Sequence, residues 1–285
     1  MRVLLTGGTG FIGSHLARAL EARGDQVVVV SRRGPVTWDD VEARVSTVDA
    51  VVHLAGEPVA DARWTPERLE RIRASRVDTT GRLARAIAAA PRKPRAFVSA
   101  SAVGIYGTRT DDVVCRESTP PGDDVLARIV VDWEAAAAPA REAGVRVAHP
   151  RTGIVLGPGG ALSRMVGPYR FFVGGSIGSG KQWVSWIHLH DEVSALLFLL
   201  DRDIQGPVNL VAPEPVTMAQ LSSAIGRTMH RPSLMRVPGF ALKVALGSGV
   251  AQLLLTGQRV APAALQAAGF SFAFARIDEA LRDLL

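Results

Sequence analysis

Residues 6–13 read TGGTGFIG, which places glycines at 7, 10 and 13. The segment follows a short apolar run, Val3 to Thr6, and leads into apolar residues at helical spacing from Phe11 to Arg23. Few folds call for that order. A glycine at the end of a strand permits a tight turn, a second lets backbone approach a ligand closely, and a third lets the helix pack against its strand. The helix start then offers oriented N–H groups to an anion. Gly7, Thr9, Gly10, Phe11, Ile12 and Gly13 are therefore expected to hold the pyrophosphate of a dinucleotide.

The rest of the chain fits the same architecture. Gln26 to Ser31 is a continuous β-branched run suited to a buried parallel strand, and Asp49 to Leu54 repeats the pattern. Thr65, Pro66 and Glu67 form a helix start with Thr at the N-cap and Pro at the first helical position. A strand is expected over Ala96 to Ser101, a helix over Val131 to Ala143, a strand over Val145 to His149, a helix over Val193 to Leu200 and a strand over Pro207 to Val211. This alternation predicts an α/β fold with a Rossmann-type doubly wound parallel sheet. Glycine-rich loops run from Gly157 to Gly180, and a helix-rich tail from Thr217 is broken by Pro232, Pro238 and Pro262. They predict a small C-terminal substrate lobe over 161–285 beside a dinucleotide-binding domain over 1–160, with 193–212 returning to the sheet.

The end of the second strand selects the cofactor. A carboxylate there would accept hydrogen bonds from the adenosine ribose 2′-OH, but this chain has Ser31, Arg32 and Arg33. Guanidinium groups facing a 2′-phosphate make charge-assisted bonds of about 1.5–3 kcal/mol each. The cofactor expected is NADP(H).

Composition narrows the alternatives. At 285 residues and 47% hydrophobic content the chain can bury a sizeable core. Its formal charge of +6 comes mainly from Arg residues scattered along helix-like segments, with no run of five or more, so no nucleic-acid partner is expected. The apolar stretch from Val193 to Leu200 is far short of the ~20 residues that cross a bilayer, so no membrane partner is expected either. The opening MRVLLTGG enters a strand directly, without the layout of a signal peptide, and the expected location is cytoplasmic. Cys115 is the only cysteine, which excludes an internal disulfide and a cysteine-based zinc cluster; no metal is expected. Residues 175–181 spell GxxxxGK, but Gln182 stands where a P-loop needs Ser or Thr, and a strand-like run from Val184 to Ile187 follows where it needs a helix.

Together TGGTGFIG at 6–13, SRR at 31–33, TWDD at 37–40, DAVVHLAGEP at 49–58, SR at 75–76, RTGIVLGPGGAL at 151–162, GSGKQWVSWIHLHDE at 178–192 and LLLTGQRVAP at 253–262 resemble an atypical branch of the extended short-chain dehydrogenase/reductases, the nucleoside-diphosphate-sugar-epimerase-like proteins. The resemblance spans nearly the whole chain. It implies that Leu54, Ala55 and Gly56 run beside the cofactor's ribose and pyrophosphate, that Trp38 lies near the adenine, that Arg76 helps to hold the dinucleotide, and that Ser99 belongs with the cofactor-binding group.

Classical members of that superfamily use Tyr-x-x-x-Lys, whose i, i+4 spacing sets both side chains on one helix face. Here the only tyrosines are Tyr106 and Tyr169, followed four residues later by Thr110 and Val173. The matching helix carries Leu126 and Val130 at the Tyr and Lys positions, and Val184 stands where relatives often have an Arg for a sugar-nucleotide phosphate. Ser101, Tyr106 and Glu57 are the candidate catalytic groups, and Arg151, Lys181 and His188 the candidate substrate-binding groups. Two functions are compatible with this pattern: an NADP(H)-dependent oxidoreductase or epimerase-like enzyme acting on an unknown small molecule, or a non-catalytic NADP(H)-binding regulator of a protein partner.

Overall fold

The computed structural model describes residues 1–285. Strand β1 (Arg2–Thr6), helix α1 (Phe11–Ala22) and strand β2 (Gln26–Val30) form the expected βαβ unit, with β1 and β2 parallel from Arg2↔Gln26 to Thr6↔Val30. A single 3-10 turn, Trp38–Asp40, and α2 (Val41–Val45) lead to β3 (Ala50–His53), which pairs with the other edge of β1. Helix α3 (Pro66–Ala89) starts as predicted: the Thr65 side chain accepts the Arg68 N–H at 3.2 Å, and Pro66 occupies a position whose N–H would be unpaired anyway.

Beyond α3 come β4 (Ala96–Ser99), β5 (Ser101–Ala102), β6 (Val114–Cys115), α4 (Val125–Ala135), α5 (Ala138–Glu142) and β7 (Arg146–Thr152). The single helix expected over Val131 to Ala143 is in fact α4 and α5. Asp124 caps α4 by accepting the Ala127 N–H at 2.9 Å, so that helix begins earlier. Pro139 cannot donate to the carbonyl of Ala135, and the helix breaks there. The second half contains β8 (Ile154–Leu156), α6 (Ala161–Arg170), β9 (Gly174–Ile177), β10 (Trp183–Val184), β11 (Trp186–His188), α7 (Leu189–Asp201) and β12 (Gly206–Leu210). It ends with β13 (Val216–Thr217), α8 (Met218–Met229), β14 (Ser233–Val237), α9 (Gly239–Leu246), α10 (Ser248–Leu255), β15 (Arg259–Val260), α11 (Ala263–Ala267) and α12 (Ile277–Leu284). No helix is long and apolar enough to cross a membrane.

The main sheet has the order β12-β7-β4-β3-β1-β2, with β5 also pairing with β7, and every pairing is parallel. Alternate residues of the same strands feed two cores. Val3, Leu5, Val52 and Val98 join one with Leu196 and Leu199 of α7, while Leu4, Val51, Phe97 and Val147 join the other with Leu83 and Ile87 of α3. The chain order reverses about β1, so a crevice opens outside the carboxyl ends of β1 and β3. A third core, including Leu162, Tyr169, Trp186, Leu221 and Leu281, belongs to the second half of the chain. The tail then returns: Leu265 is fully buried in the core on the α7 face of the sheet, with Phe270 and Phe272 packed against it.

Glu192, in the first turn of α7, is 1% exposed. One oxygen accepts the Thr152 hydroxyl at 2.8 Å and the other has no partner. Burial pushes its carboxyl up to about 8. The native state therefore holds a proton that the unfolded chain releases near pH 4.5, and this group's contribution to stability falls as pH rises towards 8. Glu192→Gln is expected to flatten the loss of denaturation midpoint between pH 6.5 and 8; an unchanged slope would contradict it.

Candidate functional site

The glycine turn is built by close approach. Gly7 has φ +73°, a conformation that side chains disfavour, and a Cβ there would lie 2.7 Å from the Leu54 carbonyl carbon. A Cβ on Gly13 would lie 2.2 Å from the Gly7 oxygen, so α1 can seat against the turn only with glycine at that position. The turn closes with a 2.9 Å bond from Gly10 N–H to the Gly7 carbonyl, and Gly10 caps α1 without a side chain in the way.

Beneath this turn runs a buried chain of hydrogen bonds. The Thr79 hydroxyl donates to the Ser75 carbonyl at 2.8 Å, so it accepts from His53 Nε2 at 3.1 Å. His53 Nδ1 then accepts the Thr6 hydroxyl at 2.5 Å, and Thr6 Oγ1 receives the Ala55 N–H at 3.4 Å. Burial, with Arg76 adding repulsion, pulls His53 down to about 3 and keeps the ring neutral, as this chain of donors requires. β1, β3 and α3 are thereby tied together at the lip of the crevice.

The crevice has a volume of about 730 Å³ and is lined by Gly7, Thr9, Gly10, Ser31, Arg32, Trp38, Leu54, Ala55, Gly56 and Glu57, with Arg71, Ser75 and Thr79 across from them. Ten expected residues thus converge on one cleft. Phe11, Ile12 and Gly13 stand at the adjoining helix start. Arg32 stands between this cleft and a groove of about 1050 Å³ along β2, which Arg33 also lines. Both guanidiniums are exposed and neither forms an ion pair. Trp38 meets His53 edge-on at 6.0 Å, which fixes the ring at the wall of the cleft.

Other expected residues lie behind the surface. Arg76 donates to the Glu57 and Ile72 carbonyls at 3.0 and 3.1 Å and covers the Trp133 ring at 5.2 Å. Its guanidinium fills the space a side chain on Gly56 would need, and burial draws it down to about 10. Ser99 is fully buried, with no partner for its hydroxyl. The Glu57 carboxylate is bound by Arg68 and, at 3.4 Å, by Arg71. Arg71, Ser75 and Thr79 were not anticipated as cleft residues; their helical i, i+4 spacing was the available signal, since it places them on one face of α3.

The expected catalytic and substrate-binding residues do not form one group. Ser101 donates to Glu134 Oε1 at 2.6 Å, and Arg151 binds the same carboxylate with two nitrogens at 2.8 and 2.9 Å. Burial by itself would raise Glu134, but the bonds and charge of Arg151 outweigh it and hold the carboxyl below its ordinary value. Tyr106 is 1% exposed, donates to Asn209 Oδ1 at 2.6 Å and accepts from Arg151 at 3.1 Å, so it is a core residue and not a cleft residue. His188 caps α7 by accepting the His190 N–H at 3.0 Å and stacks on Phe274 at 3.9 Å. Lys181 lies exposed in the turn after β9. Leu126 lines a cavity of about 40 Å³ with Trp64, Thr108, Asp124, Gly249 and Leu253, whereas Val130 is buried against Ile105 and Tyr106. The helix face that carries Tyr and Lys in classical relatives is apolar here.

Gly13→Ala is expected to lose dinucleotide binding and to cost about 1–3 kcal/mol of stability, because the added methyl collides with backbone that cannot yield. Wild-type affinity and denaturation midpoint in that variant would refute the packing argument.

Comparison with known proteins agrees with this geometry. Residues 3–211 match the NAD dependent epimerase/dehydratase family, and residues 237–284 match a domain of unknown function, DUF1731. An epimerase family protein of Mycobacterium leprae, ML0860, is 43% identical over 98% of this chain and 94% of its own length. The crystal structure of human epimerase family protein SDR39U1 with NADPH superposes with a TM-score of 0.95 at 37% identity, covering 100% of this chain and 99% of that one. A nucleoside-diphosphate sugar epimerase from Corynebacterium glutamicum gives a TM-score of 0.82 at 34% identity, over 99% of this chain and 57% of that one. With the glycine turn, the cleft and these matches in agreement, the chain belongs to the NAD dependent epimerase/dehydratase family.

Proposed function

We propose that this chain is an NADP(H)-dependent oxidoreductase, or an epimerase-like enzyme using the same cofactor, whose small-molecule substrate carries no nucleotide. The observation that carries the cofactor assignment is the pair of unpaired guanidiniums, Arg32 and Arg33, at the end of β2, where a carboxylate would favour NAD; the NADPH in the human relative supports it. When bound, NADP(H) supplies a hydride donor or acceptor. The amides at the start of α1 hold its pyrophosphate, Ser31, Arg32 and Arg33 recognise its 2′-phosphate, and Trp38 flanks its adenine.

Proton handling falls to Ser101 and Glu134. Arg151 keeps Glu134 ionised, so the Ser101 hydroxyl points its proton inward at 2.6 Å. A substrate hydroxyl can pass its proton to Ser101 Oγ as the serine proton moves to Glu134 Oε1. Glu57 is less suited to the role, because Arg68 and Arg71 occupy its carboxylate. Val184, at the position where relatives often carry an Arg for a sugar-nucleotide phosphate, offers no charge to a nucleotide diphosphate, which favours a substrate without one.

One observation favours a second reading, that of a non-catalytic NADP(H)-dependent regulator. The protons of Ser101 and Tyr106 are both committed to internal partners, and Leu126 and Val130 replace the usual proton-transfer pair.

Two measurements test these readings. Arg32→Ala is expected to weaken NADPH by about 10- to 100-fold, the worth of one charge-assisted bond, and to leave NADH nearly unchanged in calorimetry; equal losses would reject the 2′-phosphate assignment. Following NADPH absorbance against aldehydes, ketones and nucleotide sugars is expected to reveal turnover that Ser101→Ala and Glu134→Gln abolish while NADPH affinity persists. No turnover across the panel by protein that binds NADPH would favour the regulator.

A further inference from the structure

The surface formed by the end of α6, strand β14 and helix α9 has an unusual composition. Phe171 is 77% exposed, Phe172 59%, Leu234 88% and Phe240 73%, with Met235 and Val244 also exposed. β14 pairs only with β9, and α9 has the sequence GFALKVAL with none of its residues buried. These parts are continuous: Phe171 and Phe172 lead into β9, the Arg231 guanidinium lies over the Phe172 ring at 4.5 Å, and β14 runs through Pro238 into α9. So much exposed apolar surface on one side calls for a partner.

Charge identifies its chemistry. No Asp or Glu occurs between Glu142 and Asp191, or between Glu214 and Asp278, the two stretches that supply this surface. Arg170, Arg231, Arg236 and Lys243 stand exposed among the apolar side chains and none of them forms an ion pair. Aromatic and aliphatic groups that protrude, ringed by cations without ion pairs and with no acid in either stretch of chain, match an interfacial layer of acyl chains beneath anionic headgroups. A second copy of the chain would bring the same four cations against themselves. An acidic protein would satisfy the charge but would need a surface shaped to receive the protruding rings.

We propose that the face comprising Phe171, Phe172, Leu234, Phe240, Arg231 and Arg236 docks the protein on an anionic lipid surface. That no helix is long and apolar enough to cross a membrane has no bearing on adsorption to one leaflet. The inference does not depend on the proposed reaction.

The test is sedimentation of the full chain with vesicles of phosphatidylcholine, with and without phosphatidylserine. Binding is expected only when phosphatidylserine is present, and it should fall with added salt. The double variant Arg231→Gln, Arg236→Gln is expected to bind these vesicles roughly 30-fold more weakly, and Phe171→Ser with Phe240→Ser about tenfold or more. Retained NADPH affinity in both variants would show that they fold. Equal sedimentation with neutral vesicles, or variants that bind like the wild type, would overturn the proposal. So would a concentration-dependent dimer lost in the same variants, or salt-sensitive binding to polyglutamate without binding to vesicles.

Discussion

The whole site depends on how closely α1 approaches the end of β3. Gly13 against the Gly7 oxygen, and Gly7 against Leu54 and Ala55, leave no room for a single methyl group, so the helix start, the turn and the neighbouring strand end form one rigid lip. The Thr6, His53 and Thr79 chain lies under that lip and joins it to α3. Because His53 stays neutral, each hydrogen in this chain has one donor and one acceptor, and an anion at the helix start meets backbone dipoles that are already aligned.

Around α4 the chemistry is inverted. Classical relatives place a phenol and an ammonium on a helix; α4 presents leucine and valine in those positions and sends a half-buried carboxylate, Glu134, to Ser101 and Arg151. The bidentate pair anchors α4 to β7 and holds a negative charge a single hydroxyl away from the strand ends. A buried ion pair of this kind contributes little net stability for its desolvation cost, so its value lies in fixing which oxygen faces Ser101.

Local signals made the nucleotide-binding half legible. The glycine spacing, the β-branched strands and the Thr65 and Pro66 start each reflect a rule acting within a few residues, and they placed β1 to β4, α1 and α3 and drew the cleft residues together. Where long-range packing decides, the sequence was opaque. Nothing near Tyr106 announces that its hydroxyl belongs to Asn209, and nothing near His188 announces Phe274. Arg151 looked free to meet an anion because its partner, Glu134, lies on another element. The break at Pro139 was readable in principle, but the alanine-rich run around it concealed the boundary between α4 and α5.

The return of the tail has a consequence for how the polypeptide is made. Glu117 Oε1 accepts the Asn209 N–H at 3.1 Å on the edge strand β12 and the Ala264 N–H at 3.0 Å at the start of α11, while Asn209 Nδ2 reaches the Ala261 carbonyl at 2.9 Å. Leu265 then enters a core laid down by residues near the amino terminus. As synthesis proceeds, the ribosome therefore releases a Rossmann sheet whose border and α7-side hydrophobic layer are still incomplete. The nascent domain must wait for residue 265 before it closes, and a fragment cut after the edge strand would expose an empty socket where Leu265 belongs.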